Sequence, residues 1–290
     1  MRLERSTWPQ VEAYFAQNDT VMLLFGSIEQ HGRHNPLGTD LFAPIKLAEL
    51  VEDKLPGLLI APALPFGATP RFTEFPGTVS LGDELLYHVV LHMCESLYTY
   101  GARHFIFLNG HGGNTKALTD AGLTMSRRGC RCALLDWWSM VRDIKPEWAG
   151  GHGGGQETSA MLYIDPTLVD TAAIDDMHLV HDAQPEPQAK SQSGTQSEPS
   201  TCDDGVFETV GFDRVSFRGV TLQMPRPTRD YAENGWIGPD HPKDATAQWG
   251  EEMLGAVADW MVEFIPAFEK TPLPERDGDG CAWKTGVPAR

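Results

Sequence analysis

Four short, continuously apolar runs constrain the fold of this chain more than any other feature of its sequence. They cover residues 21–26, 58–64, 104–110 and 132–138. Continuous rather than alternating hydrophobicity is typical of strands that are buried on both faces. Helical periodicity is found at 83–97, 114–127, 156–163 and 245–268, with Asn114 expected to cap the second of these helices. The sequence therefore predicts an α/β fold with a mainly parallel central sheet that helices cover on both sides.

The composition changes sharply at two places. Residues 182–200 are rich in Pro, Gln and Ser and contain no aliphatic side chain larger than Ala, and residues 272–290 form a polar tail rich in Gly and Pro. Too little sequence follows the first segment to build a second core. We therefore expect a single domain over 1–271 that carries a flexible insertion at 182–200.

The charge balance excludes several classes of partner. Forty acidic residues face 23 basic ones, so the net charge is -17. Such a field repels phosphate backbones and anionic lipid, which argues against nucleic-acid and membrane-surface binding. No apolar run approaches the length of about 18 residues that a membrane-spanning helix needs. We expect a cytoplasmic protein whose cysteines are reduced and whose partner is a small-molecule substrate.

The first group of candidate functional residues follows the first predicted strand, in the segment GSIEQHGRHNPLGTD at 26–40. Glu29 and His31 are two residues apart, so an extended backbone places both side chains on one face. A turn at 36–38 then returns the chain to Asp40. Two carboxylates and an imidazole form a ligand set for Zn, Mn or Fe. The alternative is that they are loop residues with local hydrogen bonds.

Two further groups lie in glycine-rich turns that lead into predicted helices. NGHGGN at 109–114 contains His111, and GGHGGGQETSAML at 150–162 contains His152 and Glu157. Small residues let a ligand approach the backbone closely, but the spacing matches no phosphate-binding loop. His111 is either a ligand or a structural histidine. Glu157 is either a ligand or a carboxylate that stabilises the start of a helix.

In this order and wording, these segments resemble the creatininase (creatinine amidohydrolase) family. The matching stretches are GSIEQHGRHNPLGTD, FPGTVSL at 75–81, LNGHGGN at 108–114, GHGGGQETS at 151–159 and, more faintly, WIGPDHPKDATAQWGEEML at 236–254. The resemblance implies a three-layer α/β/α fold and a centre of two divalent metal ions, with Zn expected and Mn or Fe also compatible.

Carried onto the matching positions, the resemblance implies two ligand sets that share one carboxylate. Glu29, Asp40 and His111 would hold one ion, and His31, Asp40 and Glu157 the other. The charges agree independently, since two divalent ions carry +4 and three carboxylates with one hydroxide carry -4.

The resemblance also implies how the centre would act. A metal-bound hydroxide would attack the substrate, and His152 would be the catalytic residue that shuttles a proton to the leaving nitrogen. Trp148, four residues earlier, would contact the substrate. Where many members have Pro-Glu-His-Thr, this chain has Arg71 and Phe72, which predicts an altered pocket that takes an anionic or sugar-like group.

Two other positions depart from creatininases proper. Those enzymes carry a glutamate ligand in the NGH segment, where this chain has Gly113. Other members use the glutamate of the later H-x-G-x-x-E-T stretch, which is why Glu157 is the expected ligand. The aspartate that follows the pocket tryptophan is replaced by Ala149, which removes a contact expected for creatinine.

Together these features predict a metal-dependent amidohydrolase that cleaves a C–N bond of a small cyclic amide or formamide. Hydrolysis of a C–C bond in a keto-inositol ring (the 3-dehydro-scyllo-inosose type), peptide cleavage and a non-catalytic accessory role stay as alternatives. Family membership further implies a homo-oligomer, often a hexamer.

Overall fold

The structure of the chain is a computed structural model that describes residues 1–174, 207–211 and 214–275. The predicted insertion at 182–200 and the part of the tail beyond residue 275 lie outside the described residues. The extent of the single domain therefore stays a prediction. No helix in the described part of the chain is long and apolar enough to cross a membrane.

Four parallel strands form the central sheet, in the order β2-β1-β3-β4. They are β1 (Thr20–Phe25), β2 (Leu59–Ile60), β3 (His104–Asn109) and β4 (Arg131–Asp136). Every residue of β1 and β3 is buried, as the continuous apolar runs predict. The predicted strand at 58–64 is wrong in length, because only two of its residues pair as a regular strand.

Helices cover both faces of this sheet. They are α1 (Trp8–Phe15), α2 (Thr39–Lys54), α3 (Gly82–Tyr100), α4 (Thr115–Arg127), α5 (Trp137–Ile144), α6 (Gly155–Ile164) and α7 (Ala247–Phe268). Side chains alternate along each strand, so Met22 and Leu24 pack with α2, α6 and α7, whereas Val21 and Leu23 pack with α3 and α4. The three-layer α/β/α prediction is confirmed.

Three helices and one sheet were not predicted. Helix α2 contains Pro44, which reads as a helix breaker, and the two tryptophans assigned to the fourth strand instead begin α5. A separate antiparallel sheet contains β5 (Glu208–Gly211), β6 (Arg214–Phe217) and β7 (Val220–Gln223). Arg218 and Gly219, both with positive φ, join β6 to β7 as a tight hairpin turn requires.

Asn114 occupies the predicted N-cap position of α4, but its side chain does not act as the cap. Instead, Oδ1 accepts from the Ala68 backbone N–H at 2.9 Å, and Nδ2 donates to the Gly26 carbonyl at 3.0 Å. Asn114 thus ties the turn after β3 to the turn after β1 and to the segment that runs beside them.

Helices α6 and α7 approach each other closely at Gly250. A Cβ at this position would lie 2.0 Å from the carbonyl oxygen of Ser159, whereas a Cβ at Gly255 in the same helix would meet nothing within 4 Å. The first glycine is therefore required by packing and the second is not.

Gly250→Ala should lower the free energy of unfolding by about 1–3 kcal/mol, because the backbones of α6 and α7 must move apart. Gly255→Ala is the matched control and should raise it by up to about 1 kcal/mol, because alanine favours a helix more than glycine does. Urea unfolding of the two variants measures both effects. Equal midpoints for the two would contradict the close approach.

Candidate metal centre

The predicted site residues converge at the carboxyl ends of the central strands, where parallel α/β sheets place their sites. Glu29 and His31 follow β1, and Asp40 lies in the first turn of α2. His111 follows β3, and Glu157 lies in the first turn of α6. The structure therefore brings together five side chains that are up to 128 positions apart in the sequence.

The five side chains form one buried cluster. His31 Nε2 lies 3.0 Å from Asp40 Oδ1 and 3.7 Å from Glu157 Oε2. His111 Nδ1 lies 3.2 Å from Glu29 Oε1 and 3.1 Å from Asp40 Oδ2. Two sets of three residues have their potential ligand atoms within 4.8 Å of one another: Glu29, Asp40 and His111, and His31, Asp40 and Glu157. Asp40 belongs to both.

Two oxygens of this cluster lack a hydrogen bond. Glu29 Oε1 and Asp40 Oδ2 are buried, and no described group hydrogen-bonds to either atom. His111 Nδ1 faces both at ion-pair distance but is not aligned for a hydrogen bond. A buried carboxylate oxygen without a partner is costly in a folded protein. A bound cation would satisfy both oxygens, so the residues present fit a metal ion.

The hydrogen bonds made by the outer nitrogens of the two histidine rings also fit a metal site. His31 Nδ1 donates to the Glu29 carbonyl at 3.1 Å, and His111 Nε2 donates to the Ala68 carbonyl at 3.0 Å. A carbonyl can only accept, so each ring carries a proton on its outer nitrogen. In the neutral ring the lone pair is then on the inner nitrogen, which faces the carboxylates. Metal-binding histidines are held in this manner.

Without a metal, protons balance the charge of the carboxylates. Burial alone disfavours a charged ring, but Asp40 and Glu157 outweigh it and raise the pKa of His31 to about 10. Burial likewise opposes charge on His111, yet Glu29 and Asp40 hold its pKa well above the usual range. Burial raises the pKa of Glu157 to about 7. Metal ions would displace protons from both rings, because a ligating imidazole must be neutral.

Gly113 explains why a glutamate is absent from the NGH segment. A Cβ at this position would lie 2.1 Å from the Ala68 carbonyl and 2.3 Å from His111 Nε2. No side chain fits there without moving His111. In this chain the carboxylate comes from α6 instead, where the Gly153 backbone N–H donates to Glu157 Oε2 at 2.7 Å and orients it.

His152 lies beside the cluster and also belongs to a third possible ligand set, with Glu29 and His31. Its ring stacks on Phe72, with centroids 4.4 Å apart and planes 16° apart, and lies 4.4 Å from the ring of His31. Burial, reinforced by the neighbouring His31, holds the pKa of His152 well below its usual value. The ring is therefore neutral at physiological pH.

A cavity of about 680 Å³ opens onto the cluster. Arg71 and Phe72, both expected at the pocket, are among its lining residues. Trp148 is not: its ring packs against the core on the α2 side of the sheet and lies under Lys145. Trp138 lines the cavity in its place. The sequence did not indicate Trp138 as a pocket residue, because residues 137 and 138 were predicted to belong to a strand.

Three other histidines do not join the cluster. His34 Nε2 lies 2.8 Å from Thr158 Oγ1 on the buried side of α6. His88 and His92, which are four positions apart on α3, belong to none of the possible ligand sets among the described residues.

Asp240 holds the glycine-rich loop in place and was missed at the sequence level. Its Oδ1 accepts from the Gly151 backbone N–H at 2.8 Å, and its Oδ2 accepts from that of Gln156 at 2.7 Å. Asp240 thereby spans the loop that carries His152 and stabilises the start of α6. Only its position in the faint match at 236–254 could have drawn attention to it.

The family model for creatininase (creatinine amidohydrolase) matches residues 4–265. The chain belongs to the creatininase family. The creatinine amidohydrolase of Pseudomonas putida is 32% identical over 188 residues, which cover 57% of this chain and 72% of the relative. The mycofactocin precursor peptide peptidase of Mycobacterium ulcerans is 34% identical over 174 residues, which cover 57% of this chain and 62% of that relative.

The fold is also that of solved creatininases. A creatininase mutant described as the Zn-Zn type matches with a TM-score of 0.66 and 23% identity, over 93% of this chain and 98% of that one. A manganese form of creatininase matches with a TM-score of 0.67 over 93% and 99%. The family relation makes this chain a hydrolase of the creatininase type.

Asp240→Ala should loosen the loop that carries His152. The variant leaves the N–H groups of Gly151 and Gln156 without acceptors, at a cost of about 1–3 kcal/mol each in the free energy of unfolding. Amide hydrogen exchange at these two residues should accelerate, whereas Asp244→Ala, an exposed aspartate four residues later, should leave both rates unchanged. Unchanged exchange in Asp240→Ala would show that Asp240 does not hold the loop.

Proposed function

We propose that this protein is a metal-dependent hydrolase that holds two divalent cations and cleaves the C–N bond of a small cyclic amide or formamide. Glu29, Asp40 and His111 would hold one cation, and His31, Asp40 and Glu157 the other, with Asp40 shared. Zinc is the expected metal, since it suits this mixed nitrogen and oxygen set, and solved creatininases of the same fold include zinc and manganese forms.

One observation carries the proposal: the two orphaned carboxylate oxygens face the inner nitrogen of His111, in a cluster whose two histidine rings are already oriented as ligands. Glu29 Oε1 and Asp40 Oδ2 lack hydrogen bonds. His31 and His111 each use the outer nitrogen to bind a backbone carbonyl. A polar cluster that served only the fold would satisfy its buried oxygens with donors. This cluster leaves them unpaired, in a ligand set whose atoms lie within 4.8 Å of one another.

A pair of divalent cations supplies a nucleophile at neutral pH and stabilises the negative charge that develops on an attacked carbonyl oxygen. The remaining work falls to the chain. Asp40 sets the spacing of the two ligand sets because it belongs to both. His152, fixed between Phe72 and His31, is the catalytic residue that reaches the substrate beside the ligands. Phe72 and the stacked rings exclude bulk water from that side.

The cavity favours a substrate with a flat amide and an anionic group. Trp138 offers an aromatic face, and two guanidinium groups, Arg71 and Arg142, line the same cavity. Arginine pairs with carboxylates through parallel hydrogen bonds. A cyclic or formylated amide that bears a carboxylate is therefore the preferred substrate class.

Peptide cleavage is the second candidate. The relative from Mycobacterium ulcerans is a peptide peptidase by its description and is 34% identical over the aligned region. A peptide bond is also an amide, and a terminal carboxylate could pair with the same arginines. Short peptides are therefore tested as substrates together with cyclic amides and formamides.

Metal analysis tests the centre directly. The wild-type protein, loaded with zinc and gel-filtered, should contain about two metal atoms per chain, one for each ligand set. Asp40→Asn should lower the content to below one, because both sets lose a ligand. Asp83→Asn, which changes a carboxylate of the same cavity outside the ligand sets, should retain two. Wild-type protein that takes up no zinc or manganese would refute the centre and favour an accessory role.

Turnover tests the role of His152. The zinc-loaded protein is assayed against carboxylated cyclic amides, formamides, dipeptides and a keto-inositol. We expect hydrolysis of an amide, and a loss of about 10²–10⁴ in kcat for His152→Ala with unchanged metal content. His34→Ala is the control, because its ring lies beside Thr158 instead of the cavity. Full turnover by His152→Ala would refute the role, and turnover of the keto-inositol alone would favour C–C cleavage.

A further inference from the structure

Three histidine rings lie at this centre. The outer nitrogens of two of them face hydrogen-bond acceptors, whereas that of the third faces a donor. The outer nitrogens of His31 and His111 face backbone carbonyls, which are acceptors. The outer nitrogen of His152, Nε2, instead lies 2.8 Å from the side-chain amide nitrogen of Gln30. An amide NH₂ group can only donate. The same hydrogen-bond logic therefore gives His152 a different tautomer from the other two.

The orientation of Gln30 is set by its other contacts. Its Oε1 accepts from the Gly32 backbone N–H at 2.9 Å, and a backbone N–H cannot accept. The NH₂ group must then point to His152. The side chain is only 4% exposed, and Gly235 is packed so closely that a Cβ there would lie 1.9 Å from Oε1. A flipped amide would place its NH₂ group against the Gly32 N–H, so the hydrogen bond to Gly32 fixes the orientation of Gln30.

The neutral His152 ring must accept at Nε2, so its single proton is on Nδ1. That nitrogen lies 3.7 Å from Glu29 Oε1, one of the orphaned oxygens of the cluster. Two neighbouring rings restrain the plane of the His152 ring: Phe72 stacks on it, and the ring of His31 lies 4.4 Å from it. The protonated nitrogen of His152 thus lies beside the cluster.

We propose that Gln30 is a positioning residue that holds His152 in the Nδ1–H tautomer, so that His152 faces the centre as a hydrogen-bond donor to the substrate. The proposal rests on the proposed function and revises one part of it. A nitrogen that bears a proton can neither bind a metal nor accept a proton. His152 is thereby kept out of the third possible ligand set with Glu29 and His31, and it does not accept the proton that the family resemblance assigns to it.

A neutral imidazole can do this work. Its N–H polarises a carbonyl without the penalty of burying another charge, and neutral histidines serve as electrophiles in other enzymes. The role suits the surroundings of His152, whose ring packs between Phe72 and His31 at centroid distances of 4.4 Å. His152 would contribute by donating to the oxygen or nitrogen of the scissile amide as charge develops there.

The tautomer can be read directly by NMR. Protein labelled with ¹⁵N-histidine and loaded with zinc should show a one-bond proton coupling at Nδ1 of His152 and none at Nε2. Comparison with His152→Ala assigns the signals among the ten histidines. A proton on Nε2, or a zinc-bound Nδ1, would overturn the proposal without any variant of Gln30.

Gln30→Glu distinguishes a donor role of His152 from a base role, because the two roles predict different changes in kcat. The carboxylate keeps an acceptor for Gly32 but replaces the donor that faces Nε2 with an acceptor, so the proton should move to Nε2. If His152 acts as a donor, kcat on the amide that the panel identifies should fall, by as much as about 10⁴ for a wrong tautomer, with a smaller change in KM. If His152 acts as a base, the added carboxylate should preserve or raise kcat, which would overturn the proposal.

Two further variants control this comparison. Gln156→Glu places a carboxylate on another lining residue of the cavity, one whose amide donates to the Trp148 carbonyl. It should leave the His152 proton on Nδ1, and movement of the proton there would show that charge alone shifts it. Gln30→Met removes the donor without adding charge, and both tautomers should then be seen. Retention of pure Nδ1–H in Gln30→Met would show that Gln30 does not set the tautomer.

These outcomes are distinct from failure of the proposed function. A protein that binds no metal, or hydrolyses nothing in the panel, refutes the metal-dependent hydrolase. A protein that binds two zinc ions and hydrolyses an amide, but carries the His152 proton on Nε2, refutes only the role of Gln30.

Discussion

Three carboxylates taken out of water in one cluster are the constraint on which the structure depends. Glu29 is fully buried, Asp40 is nearly so, and Glu157 shares a set of potential ligand atoms with Asp40. Removing a charge from water costs several kcal/mol even after the protein relaxes. Positive charge must therefore offset these carboxylates. In the absence of a metal the protonated rings of His31 and His111 supply it. With a metal bound, the same rings would serve as its neutral ligands. The carboxyl ends of the strands, the glycine-rich turns and the start of α6 bring these carboxylates and imidazoles together.

Close backbone approach is what allows this convergence. A Cβ at Gly110 would lie 1.8 Å from the carbonyl oxygen of Asp40, so the turn after β3 and the start of α2 touch at this glycine. Asn109 shapes the same turn, since its amide donates to the His111 carbonyl at 2.8 Å and to Asp136 on β4 at 2.8 Å. In the segment NGHGGN, Asn109 and Asn114 thus build the turn, and Gly110 and Gly113 admit the neighbouring chain.

The layered fold could be predicted from the sequence, because continuous apolar strands are a local pattern, whereas the convergence of the five side chains was implied by the family resemblance. Other features could not. Helix α2 was hidden by Pro44, and Trp138 by the apolar run that precedes it. Gln30 was passed over because alternation along an extended segment places it opposite Glu29 and His31; the chain instead bends at Gly32, which has positive φ, and brings the amide back. Which nitrogen of a ring carries a proton depends on such three-dimensional partners.

The link between the glycine-rich loop and Asp240 bears on how the centre is assembled during synthesis. Every proposed ligand lies before residue 158, yet the loop is held by a carboxylate more than 80 positions later and by the bond from the Ile237 N–H to the His152 carbonyl at 2.8 Å. A nascent chain therefore displays the complete set of proposed ligands before the segment that orders their loop has left the ribosome. The loop that carries His152 is held in place only after residues 237–240 have been made.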